Sequence, residues 1–89
     1  MQIWKLTPLD LTDTNWEASS HREVAIVRAR DEAAARAIAA KAFDVVTRFP
    51  PGKGLRTPPW KRASLVKVEQ IEDPRYDRQG PPQVLEPPL

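Results

Sequence analysis

The chain has no cysteine and one histidine, His21. The first absence excludes a disulfide framework, thiolate metal ligation and thiol catalysis. The second leaves too few ligands for a zinc site. Glycine is scarce, with three in 89 residues, and none makes the glycine-flanked turn that exposes a hydrolase nucleophile. Ser19 and Ser20 beside His21 therefore lack the orienting acid and oxyanion donors of a triad. No apolar run approaches the ~18–20 residues that cross a bilayer, and nothing near Met1 reads as a secretory leader. These absences predict a cytoplasmic protein with no metal, no cofactor, no membrane partner and no catalytic residue.

What remains is modest. Fourteen basic and twelve acidic residues leave a net charge of +2, so the placement of charge matters more than its sum. A chain of this length has room for one domain with a thin core. Proline, glycine and charge crowd residues 73–89, which contain five prolines. Residues 1–72 are thus expected to form a single α+β domain, and residues 73–89 an extended tail.

Along the chain, Ile3, Trp4 and Leu6 mark a first strand that Pro8 ends, with Trp4 and Leu6 on one face. Residues 10–20 are a loop by composition, and Trp16 within it is expected to fold back over the core. Residues 22–29 (REVAIVRA) carry the continuous apolar run of a central strand. The small residues Ala25 and Ala29 flank Val27 on the side where a helix can approach. Asp31 has the placement of an N-cap. Residues 32–46 (EAAARAIAAKAFDVV) hold seven alanines and no glycine or proline, and predict a helix. Its apolar stripe runs through Ala35, Ile38, Ala39, Ala42, Phe43 and Val46, with Ile38, Phe43 and Val46 supplying most of the burial. After a loop opened by Pro50, Pro51, Gly52 and Gly54, residues 65–71 (LVKVEQI) alternate as a last strand.

The expected fold is a three-stranded sheet in the order β-β-α-β, with one helix on one face and long loops. The second strand, the helix and the third strand would make a right-handed crossover unit. The opposite sheet face would need Trp16, Trp60, the tail or a partner to cover it, and a homodimer is one way to do so.

Residues 48–62 (RFPPGKGLRTPPWKR) are the strongest candidate binding segment. Arg48, Lys53, Arg56, Lys61 and Arg62 surround Trp60 with no acidic residue among them. Cations neutralise phosphates and an aromatic stacks on an unpaired base, which is the chemistry of single-strand RNA or DNA binding. The segment lacks the residue order of a phosphate-binding P-loop. Its alternative is a solvated connection whose Trp60 plugs the core. The candidate interaction surface comprises Trp4, Trp16, Tyr76, Val84 and Leu85. Two readings follow: a small non-catalytic protein-interaction or self-association module with a protein partner or itself, or a nucleic-acid binder acting through residues 48–62.

The run Val24 to Phe43 (VAIVRARDEAAARAIAAKAF), with the opening Ile3-Trp4-Lys5-Leu6 and the proline-rich end, resembles small uncharacterised bacterial proteins with a strand, strand, alanine-rich helix, strand core and a Pro-rich tail. The resemblance implies a fold and no activity.

Overall fold

A computed structural model describes residues 1–44 and 58–88. Its sheet has four strands rather than three: β1 (Gln2–Pro8), β2 (Ala25–Ala29), β3 (Val66–Ile71) and β4 (Gln83–Glu86). The order across the sheet is β3-β1-β2-β4, and every neighbouring pair is antiparallel. The fourth strand comes from the proline-rich segment that composition places outside the sheet. Four residues between two Pro-Pro pairs suffice, because β2 offers them an edge. β2 and β3 do run parallel to each other across the helix. They are not neighbours, because β1 lies between them, with Ile3 and Leu6 buried on its two faces.

The helix α1 (Glu32–Phe43) begins where expected. Asp31 is extended and its side chain accepts from the Ala34 N–H at 2.7 Å, capping the first turn. Ala35, Ala39, Ala40 and Phe43 are buried, and they meet Leu6, Ala25, Val27, Ala29 and Val66 across the helix–sheet interface. Ile38, expected as a principal anchor, is only half-buried. The alanines take its place by letting the helix backbone approach β2 closely, where Ala25 and Ala29 also present little bulk. Val46 lies outside the described residues.

A 3-10 turn at Thr14–Ala18 carries Trp16 into this core. Asp13 caps it by accepting from the Asn15 N–H at 2.8 Å. A second such turn, Pro59–Lys61, does the same for Trp60. Both indoles are 1% exposed and meet edge to face, with centroids 5.4 Å apart. Phe43 completes the group at 5.1 Å from Trp60.

The sheet face opposite α1 is covered in part by the segment after β3. Its key is Arg28, which is 8% exposed. The Arg28 Nε donates to the Asp77 carbonyl at 2.8 Å and Nη1 to the Pro81 carbonyl at 3.4 Å. The tail thus folds over β2 before pairing with it. Gly80 makes the tight passage there, with φ of +138°, and a Cβ on it would sit 2.5 Å from Arg28 Nη1. Gly80→Ala combines a backbone strain with this clash, so a loss of about 1–3 kcal/mol is expected. In thermal unfolding that is a drop of roughly 5–15 °C. An unchanged midpoint would show that Arg28 does not hold the segment as described.

Candidate functional site

The sequence-predicted binding segment divides sharply. Arg48, Lys53 and Arg56 lie outside the described residues. Lys61 and Arg62 are exposed. Trp60 is not a platform beside them: its ring faces the core, and its Nε1 donates to Ser19 Oγ at 2.9 Å. The Trp60 and Val66 carbonyls accept from Arg36 at 3.3 and 3.0 Å, which ties this turn to α1. In this fold no base can stack on Trp60.

The candidate interaction residues are also engaged within the chain. Trp16 is core. Trp4 is half-buried on the helix side of the sheet, with its Nε1 donating to the Ala29 carbonyl at 3.0 Å. Val84 packs against the core from β4, and Leu85 is half-buried beside it. The Tyr76 hydroxyl donates to the Glu86 carboxylate, which raises its pKa. The His21 ring lies against the same cluster, tilted at 4.7 Å from Phe43 and stacked at 6.1 Å from Trp60. Ser19 Oγ donates to the His21 carbonyl at 2.6 Å rather than meeting its ring.

The segment after β3 is a charge clamp. Arg75 bonds both Asp73 oxygens and reaches Glu86 at 3.1 Å, and Arg78 pairs with Glu72 at 2.9 Å. Glu72, Asp73 and Arg78, with Ile3, Pro74 and Tyr76, border an open recess of ≈ 260 Å³. Donation from the Arg75 side chain and backbone N–H holds the Asp73 carboxyl below the ordinary aspartate range. A carboxyl depressed in the folded state contributes stability above its unfolded pKa, about 3.9, and that contribution is lost as pH falls through the folded value. The Asp73 carboxyl, followed by carbon-detected NMR, should titrate below pH 3.9, and Arg75→Met should move its midpoint upward. Equal midpoints in both proteins would remove the clamp as the cause.

One of the two edges of the sheet is the outer side of β3. Among the described residues no strand pairs there. The β1–β3 register places Ile3 opposite Ile71 and Pro8 opposite Val66, and the Leu9 N–H continues it by donating to the Leu65 carbonyl at 2.9 Å. Peptide groups alternate sides along an antiparallel ladder. Leu65, Lys67, Glu69 and Ile71 therefore turn theirs toward β1, whereas Val66, Val68 and Gln70 turn theirs outward. The Val66 N–H is taken by the Arg62 carbonyl at 3.0 Å. Val68 and Gln70 keep both groups on the open edge.

Side chains follow the same alternation. Val66 and Val68 face the core beneath α1. Lys67 and Glu69 stand on the other face, 62% and 43% exposed, with Nζ and Oε1 2.9 Å apart. The Lys67 ammonium holds the Glu69 carboxyl below its usual range. The opposite edge of the sheet is different. β4 is four residues long and is bracketed by Pro81, Pro82, Pro87 and Pro88, which have no N–H to offer a ladder.

No protein family, curated protein or solved structure matches the chain. Sequence reasoning missed the β3 edge as a site, although the Val-Lys-Val-Glu alternation was legible. Whether a strand is central or at an edge depends on strand order, which local pattern does not encode.

Proposed function

We propose that the protein is a non-catalytic association module that takes up an extended strand from another chain along the outer edge of β3. The observation that carries this reading is the outward row of peptide groups at Val68 and Gln70, on the one long edge that proline does not block. Strand addition supplies affinity through such groups and specificity through alternating side chains. A cysteine-free composition supports a reducing, cytoplasmic setting. The burial of Trp60 weighs against the nucleic-acid alternative, which would rest on Lys61, Arg62 and the cations of residues 48–56.

The test uses dilute labelled protein and an excess of a synthetic peptide carrying residues 64–72. Amide shifts centred on Val68 and Gln70, with slowed hydrogen exchange at both, are expected. A silent edge would overturn the proposal. So would salt-sensitive shifts around Lys61 and Arg62 on adding single-stranded RNA with none on β3.

A further inference from the structure

The strand that best fits the β3 edge is in the chain itself. Resting on the strand-addition reading, we infer that the partner is a second copy, its β3 antiparallel to this one about a two-fold axis at Val68. Two four-stranded sheets then become one of eight.

Symmetry limits the choices. In a two-fold antiparallel pair the axis passes through a residue position, so like faces meet like faces. Three registers use the exposed part of the edge, centred on Lys67, Val68 or Glu69. Centring on Lys67 sets it directly opposite its own copy, and centring on Glu69 does the same with two carboxylates. Like charges directly opposite each other are destabilising. Centring on Val68 sets each Lys67 opposite Glu69 of the second copy. With the in-chain pair at 2.9 Å, the four groups form a rectangle of alternating charge on the face away from α1.

The backbone agrees with that register. Val68 lies opposite Val68 of the second copy, and both turn their N–H and carbonyl toward the junction, giving two reciprocal hydrogen bonds. The Gln70 N–H reaches the Val66 carbonyl of the second copy, and its symmetry mate does likewise. The Val66 N–H, already held by Arg62, is not required. Both outer edges of the joined sheet are then β4, flanked by prolines, so addition stops at the dimer instead of continuing as a fibre.

The experiment is sedimentation of the full chain from micromolar to millimolar concentration, with charge swaps on the exposed pair. Native protein should pass from monomer to dimer. Lys67→Glu and Glu69→Lys should each weaken the dimer about tenfold, because each sets two like pairs across the junction. An equal mixture of these two variants should recover a heterodimer, since every facing pair in it is opposite in sign. The double swap should dimerise like the native chain, and its melting curve checks folding. A monomer at all concentrations overturns the second copy as partner, and the edge reading survives that result if the peptide still binds. A dimer indifferent to the swaps, or mixing without recovery, overturns the Val68 register.

Discussion

Replacing Trp60 with alanine is expected to abolish the folded state at ambient temperature. The indole is 1% exposed and touches Trp16, Phe43 and His21. Removing such a side chain costs about 3–5 kcal/mol in transfer and cavity terms. The substitution also strips Ser19 Oγ of its donor at 2.9 Å. A small domain has about 4–13 kcal/mol in total, and a chain of this length belongs toward the lower end. Trp60→Phe separates the contributions. It keeps an aromatic ring in the cluster and loses the hydrogen bond, so a loss of about 1–3 kcal/mol is expected. Urea midpoints read both variants. A Trp60→Ala protein that unfolds at the native midpoint would mean that the tryptophan is not in the core, and would reopen it as a ligand platform.

Trp60 also marks where sequence reading reached its limit. A tryptophan among five cations has the same composition whether it stacks on a base or plugs a core. The decision rests on where the Pro59–Lys61 turn points, and that is fixed by Arg36 on α1 and Ser19 near Trp16, both far away in sequence. Local features were more legible. The period-two pattern of Trp4 and Leu6, the apolar run of β2 and the Asp31 cap each reflect short-range physics, and each is present in the fold. Ile38 was overrated because the stripe was weighed by side-chain size, whereas the helix seats itself through alanines. The role of Arg28 had no local signal, because nothing nearby in sequence shows that carbonyls some fifty residues later will enclose it. β4 was invisible for the same reason. Its sequence is weakly strand-forming, and the partner that makes it a strand is the edge of β2.

Ending the chain at Glu72 is therefore expected to cost far more than trimming a tail. Regained disorder in residues 73–89 offsets part of the lost burial, at about 1–2 kcal/mol per released residue, so summed contacts overstate the damage. The decisive consequence is what the cut exposes. All five residues of β2 are buried. Without β4 this strand becomes an edge, with Ala25, Val27 and Ala29 on one face and Ile26 on the other. Ile26 and Ile3 on the open face lose their cover, and Arg28 loses both of its carbonyl acceptors. An apolar edge with no proline and a single charge is a template for aggregation. The truncated protein should sediment as large aggregates and lose native amide dispersion. Val84→Asp in the full chain tests the same joint without the cut: a carboxylate set against the core should release β4 and cost several kcal/mol of stability in urea unfolding. Removing residues 87–89 alone spares the ladder to β2 and should leave the stability within about 0.5 kcal/mol of the native value. A monomeric, native-like protein ending at Glu72 would show that β2 tolerates an open edge, and would then give the sheet two edges for strand addition in place of one.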